Sequence, residues 1–168
     1  KELENKKILP IVGCEFQICP DRSDKTYKNN GYQVPFLAKN KNGYQNLIKL
    51  SSIGFIEGFY YVPRIDKKIL LEYSSDLIVT TGGLYGEIPQ LILNEGEQKA
   101  ETALLWWKEH FKDDFYIEIV RHGLEEEEKV NEVLLRFADK HSIKYFASNN
   151  THYLNKEDSD AHDVLLSI

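Results

Sequence analysis

From Leu77 onward, short apolar runs alternate with stretches of helical period, and this alternation restricts the chain to βα units and a mainly parallel sheet or barrel. Residues 77–81 read as a short buried strand halted by Gly82 and Gly83, where close backbone approach or a tight turn is allowed. Residues 86–93 predict a short helix with Ile88, Leu91 and Ile92 inward. Residues 98–111 predict a longer one, because Ala103, Leu104, Trp107 and Phe111 recur at helical spacing. Residues 115–120, F-Y-I-E-I-V, form a strand that empties into Arg121, His122 and Gly123. The acidic run 125–128 then opens the best-patterned helix, with Val130, Val133, Leu134, Phe137 and Ala138 on one face. Acids at its start and Lys140 and His141 at its end complement the helix dipole, so the run reads as a helix N-terminus and not as an acidic binding site.

Residues 144–152, entered from Ile143, read as a buried strand that runs into polar, ligand-type residues. In an extended chain, residues two apart point to the same side, so the Asn150 amide and the His152 imidazole would face one site at a strand's C-terminal end. That end is where α/β folds keep their chemistry. A polar cap at 155–159 follows, then a helix carrying Ala161, Val164, Leu165 and Ile168, with His162 in its first turn as a structural or surface residue.

The first half of the chain is less regular. Residues 8–19 read as a nearly continuous apolar strand interrupted by Glu15, a carboxylate that pairs with a cation, binds a metal or points outward to solvent. A polar connection over 20–31 leads to a second strand at 32–38. Pro35 marks it as an edge or a bulge, and the two strands predict an antiparallel hairpin with a flexible tip. Tyr44, Leu47, Ile48, Ser51 and Ser52 space out one face of a helix over 43–54. Asp66 is placed to cap a short helix bearing Ile69, Leu70 and Tyr73.

At 168 residues, with 42% hydrophobic and 12% aromatic content, the chain is long enough and apolar enough for one globular domain. Its net charge of -6 argues against a free-standing module that grips nucleic acid by bulk electrostatics. Cys14 and Cys19 share one predicted strand without metal or redox spacing, so a reducing cytoplasm is expected. No stretch reads as a signal peptide, and no apolar run is long enough to span a membrane. The chain opens without a methionine and stops inside an apolar pattern, and is expected to be a piece of a larger protein.

Three polar sites share one context: Glu15 within a strand, His122 just past a strand, and Asn150 with His152 just past another. If those strands are parallel and adjacent, the side chains converge. Carboxylates and imidazoles so arranged bind Zn²⁺, Mn²⁺ or Fe²⁺ and activate water for phosphoester hydrolysis.

The segments P-I-V-G-C-E-F, N-G-Y-Q-N-L-I-K-L, G-E-I-P-Q-L-I, Y-I-E-I-V-R-H-G and A-S-N-N-T-H-Y-L-N-K-E-D-S-D-A-H-D-V-L follow one another along nearly the whole chain. In that order they resemble the PHP (polymerase and histidinol phosphatase) domain of bacterial DNA polymerase III alpha subunits, with G-Y-Q-N-L and D-A-H-D-V-L setting that group apart from other PHP proteins. The resemblance implies a partial distorted (β/α)7 barrel with a metal site at its C-terminal face. It places Glu15, His122 and His152 at metal-ligand positions. Asn150 stands where metal-binding members carry an aspartate, and Gly83 where they offer a cysteine or histidine. An amide in place of a carboxylate removes a charge and a strong hard-ion ligand. The family's opening strands, with their H-x-H motif, are expected to precede Lys1. Residues 1–168 are thus expected to be a single PHP domain truncated at its N-terminus and cut near its C-terminal boundary, whose open edges would make it associate with itself or rearrange.

The resemblance implies a scaffold and subunit-docking domain with a degenerate metal site, inactive alone, inside a DNA-directed DNA polymerase, a nucleotidyltransferase. DNA, dNTPs, the proofreading exonuclease subunit and other replicase subunits would be the parent's partners. The expected cofactors are Mg²⁺ for the parent and Zn²⁺, Mn²⁺ or Fe²⁺ for a complete PHP domain, or none in this fragment. The alternatives are a metal-dependent phosphoesterase or 3′-5′ exonuclease using Glu15, His122 and His152, and a non-catalytic interaction module.

Overall fold

The computed structural model describes residues 5, 6, 8–26 and 31–168. Along the chain run β1 (Gly13–Cys19), β2 (Tyr32–Ala38), α1 (Lys41–Ile56), β3 (Arg64–Asp66), α2 (Lys67–Glu72), β4 (Leu77–Thr80), α3 (Glu87–Asn94), α4 (Glu97–Phe111), β5 (Phe115–Val120), α5 (Glu125–His141), β6 (Tyr145–Ser148) and α6 (Ser159–Leu166). The strands form one sheet in the order β3-β1-β2-β4-β5-β6. Only β2 runs against its neighbours. The other strands therefore end at the same side of the sheet, as a partial (β/α) barrel requires.

Strand alternation divides the sheet into two faces. Phe16 and Ile18 of β1, Val34 and Phe36 of β2, Val79 of β4 and Ile117 of β5 are buried in one apolar core with Leu50, Ile88, Leu104, Trp107 and Leu134 from the helices. Phe36 is fully buried at its centre, with ring centroids 5.7 Å from Phe16 and 6.1 Å from both Trp107 and Phe111. The intervening residues, among them Glu15, Gln33, Tyr116 and Glu118, are exposed or half-buried on the opposite face.

Local chemistry accounts for the helix starts. The Asn40 side chain accepts from the backbone N–H groups of Asn42 and Gly43 and caps α1. Asp66 caps α2 by accepting from Ile69 N–H at 2.9 Å, as the sequence predicts, and is held in turn by Arg22 at 2.8 Å. The predicted inward faces of α3 and α5 are buried as read. In α4, Leu104, Trp107 and Phe111 are buried with Ala100, and Ala103 is partly buried.

Four expectations need correction. The first strand begins at Gly13, not Ile8; Ile8, Leu9, Ile11 and Val12 are exposed, because Pro10 brings no N–H to a ladder and none of the described elements covers them. Pro35 lies in an interior strand. Its position shares the side of Gln33, whose N–H donates to Tyr85 O where the β4 ladder has ended, and Gly82 packs against its ring. The face of α1 is turned: Tyr44 and Ile48 are exposed, while Gly43, Asn46, Leu47, Leu50 and Gly54 are buried. Gly43 makes this possible, since a Cβ there would lie 2.1 Å from Asp76 O. Finally, the strand expected over 144–152 is only Tyr145–Ser148, and it is exposed, because it forms an edge of the sheet. The hairpin tip over 20–31 lies partly outside the described residues, and α6 keeps Val164, Leu165 and Leu166 exposed. Among the described residues, no helix is long and apolar enough to cross a membrane.

Candidate functional site

At the C-terminal end of the parallel strands lies a cleft of about 470 Å³. All four residues singled out from the sequence, Glu15, His122, Asn150 and His152, line it. A cavity of about 550 Å³ at the opposite end of the strands is bordered by Lys108, Lys112 and Lys144 with Glu109 and Asp113, and carries no imidazole.

His122 leaves β5 in the turn before α5. Its Nδ1 lies 2.7 Å from Glu127 Oε1, and its backbone N–H donates to Glu127 Oε2 at 2.5 Å. On the other side of the ring, Nε2 lies 2.8 Å from the Asn149 side chain and 3.4 Å from Asn150 N. The hydrogen bond with Glu127 raises the His122 pKa above its ordinary value, against desolvation, and the Asn149 contact and the Glu127 charge act in the same direction. Burial alone would raise the Glu127 carboxyl, but hydrogen bonds from the His122 ring, His122 N–H and Leu124 N–H outweigh it and hold it below the usual range.

Glu118, which the sequence reading passed over, points from the middle of β5 into the same cleft. Thr80 Oγ1 donates to its Oε2 at 2.6 Å and Ser148 Oγ to its Oε1 at 2.5 Å. Thr80 Oγ1 also accepts Gly82 N–H, and Thr81 Oγ1 accepts Glu118 N–H, so this carboxylate stitches β4, β5 and β6 together. Glu15 on β1 is exposed by area yet seated in the concavity. Desolvation, and then the nearby Glu118 carboxylate, raise its pKa. A carboxylate at an alternating position of an apolar strand was the signal for Glu15, and the same signal marks Glu118.

Asn150 and His152 do not share a pleat. The strand has ended, and Thr151 N–H donates back to Asn149 O, turning the chain between them. The ring of His152 stacks on that of His162, centroids 5.1 Å apart and planes 20° apart.

Among the described residues, no three His, Cys, Asp or Glu side chains are grouped to hold a metal ion. Both carboxylate oxygens of Glu118 and both ring nitrogens of His122 have hydrogen-bond partners. At Gly83, which borders the cleft, a Cβ would meet nothing within 4 Å, so the room for a ligand side chain is there and the side chain is not. The donor set of the described residues does not fit a multinuclear cluster.

Similarity to known proteins agrees with this architecture. The chain is 40% identical to the DNA polymerase III subunit alpha of Borreliella burgdorferi over 174 aligned residues, covering 100% of this chain and 15% of that protein. It is 44% identical to the subunit alpha of Thermus aquaticus, covering 96% and 14%. For Treponema pallidum the values are 39%, 96% and 14%. The chain thus spans about one seventh of the length of these relatives. The profile of the PHP domain matches residues 1–122, from before β1 to His122, and the chain belongs to the PHP domain family.

Proposed function

We propose that residues 1–168 are a single PHP domain of a bacterial DNA polymerase III alpha subunit, serving there as scaffold and subunit-docking surface with a degenerate metal site. The observation that carries this reading is the extent of the similarity: it continues past residue 122, where the domain match stops, to cover the whole chain in one alpha subunit. On this reading the parent polymerase carries out DNA-directed DNA synthesis from dNTPs with Mg²⁺ held elsewhere in the polypeptide. The proofreading exonuclease subunit and other replicase subunits dock on the parent, in the cytoplasm, where the free thiols of Cys14 and Cys19 stay reduced. Glu15, His122, Asn150 and His152 are then what remains of a site for Zn²⁺, Mn²⁺ or Fe²⁺, in which the Asn150 amide no longer supplies a charge.

Two measurements test this. The coding sequence downstream should run on into a polymerase palm with paired aspartates; a stop shortly after Ile168 would end the reading. Cross-linking of the reconstituted polymerase and exonuclease subunits should join the exonuclease to lysines of this domain. Cross-links confined to other parts of the polymerase would remove the docking role.

A phosphoesterase or 3′-5′ exonuclease is the second reading. It is favoured by the carboxylate on His122 Nδ1, an arrangement that metal-binding imidazoles use. Trimming of a single-stranded DNA 3′ end that disappears in His152→Ala would put this reading first.

A further inference from the structure

We propose that Glu127 is a positioning residue for His122: it holds the ring as the Nδ1–H tautomer and turns Nε2, as the working nitrogen, into the cleft. Of the acids that open α5, Glu125, Glu126 and Glu128 are exposed, and Glu127 alone is buried, 4% accessible. A buried carboxylate is costly unless its oxygens are hydrogen-bonded, so this one was placed for its partners and not for solvation. Its Oε2 accepts His122 N–H at 2.5 Å and Leu124 N–H at 3.5 Å, and its Oε1 faces His122 Nδ1 at 2.7 Å.

An ionised carboxylate only accepts hydrogen bonds, so the proton in the last contact belongs to Nδ1. In the neutral imidazole the lone pair is then on Nε2. Nε2 is the atom that meets the cleft, with Asn150 N–H 3.4 Å away and positioned to donate to it. Asn149 Oδ1 lies 2.8 Å from Nε2, the contact of a ring that carries a proton on both nitrogens. The Asn149 carbonyl oxygen can face Nε2 only while that nitrogen carries a proton, and facing a lone pair the amide must present its NH₂ group. The turn after β5 is thereby tied to the turn after β6 through one ring.

This assignment stands apart from the replicase reading, since it rests only on the contacts of one imidazole. The test is long-range ¹H–¹⁵N NMR of the His122 ring in the 168-residue chain, at a pH where the ring is neutral. The Nδ1–H tautomer is expected in the unaltered chain, with a shift toward the Nε2–H tautomer that free imidazole side chains prefer in Glu127→Ala. If Glu127→Ala does not fold, Glu127→Gln keeps the volume but brings an amide N–H₂ among the donors, and the tautomer population should again move. An Nε2–H tautomer in the unaltered chain, or a tautomer that neither folded variant changes, would overturn the proposal.

Discussion

On β5, Ile117 turns into the helix-covered core and is fully buried, while Glu118, the next residue, turns into the cleft and is held by the hydroxyls of Thr80 and Ser148. The same strands thus present two surfaces governed by different physics. On the core face, stability follows volume and apolar area, because close-packed side chains lose contacts whenever an atom is removed. On the cleft face, stability follows donor–acceptor matching: both Glu118 oxygens have a hydroxyl donor, and removing one partner strands the other. Substitutions should therefore be read by size on one face and by hydrogen-bonding pattern on the other.

The largest effect is expected on the core face. Phe36→Ala removes the ring at the meeting point of Phe16, Trp107 and Phe111 and should cost about 3–5 kcal/mol in denaturant unfolding. A loss near that of an exposed residue would mean that the sheet is not packed as described. On the cleft face, Thr80→Val keeps shape and volume but withdraws the donor to Glu118 and the acceptor for Gly82 N–H. It should cost about 1–3 kcal/mol although no apolar contact is lost, and a neutral outcome would erase the distinction between the faces.

The third prediction concerns pH. The His122 pKa is raised in the folded protein, so its contribution to stability is complete below the unfolded histidine value, about 6.5. It is lost as pH rises through the folded value. The stability difference between the unaltered chain and His122→Ala should therefore shrink from mildly acidic to alkaline pH, whereas the Phe36→Ala difference should stay flat. The Glu127 carboxyl, lowered in the fold, acts in the opposite sense and loses its contribution only in acid. Smallest of all should be Tyr44→Ser on the outer side of α1, where the side chain is 46% exposed and the change should stay within about 0.5 kcal/mol.

Much of the core face was legible in the sequence, because periodicity reports directly on it. The buried stripe of α5, the inward residues of α3 and the bounds of β5 follow from spacing alone. Spacing misled where burial depends on something other than hydropathy. Gly43 and Gly54 let α1 approach through small residues, so its buried face is not its most apolar one. Residues 8–12 are apolar but exposed among the described residues, and β6 is apolar but forms an edge. The cleft was half legible. Glu15, His122, Asn150 and His152 do meet there: His122 and Asn150 follow the C-terminal ends of the adjacent parallel strands β5 and β6, and Glu15 reaches the cleft from the third position of β1. Glu127 was hidden among neighbouring acids that merely suit a helix N-terminus, and Asn149 next to the more conspicuous Asn150. Asn149 is distinguished by a contact with His122, 27 residues away, which no local pattern encodes, whereas Glu127 is distinguished by a contact only five residues back, within the turn that opens α5.

Glu118, His122 and Glu127 in the cleft are held by hydrogen bonds within the chain, an arrangement that needs no cluster of ions. Metal content of the 168-residue chain, measured after equilibration with Zn²⁺, Mn²⁺ or Fe²⁺ and dialysis, tests it most directly. No ion is expected to be retained in stoichiometric amount. Several ions retained per chain, and released by His152→Ala, would contradict it.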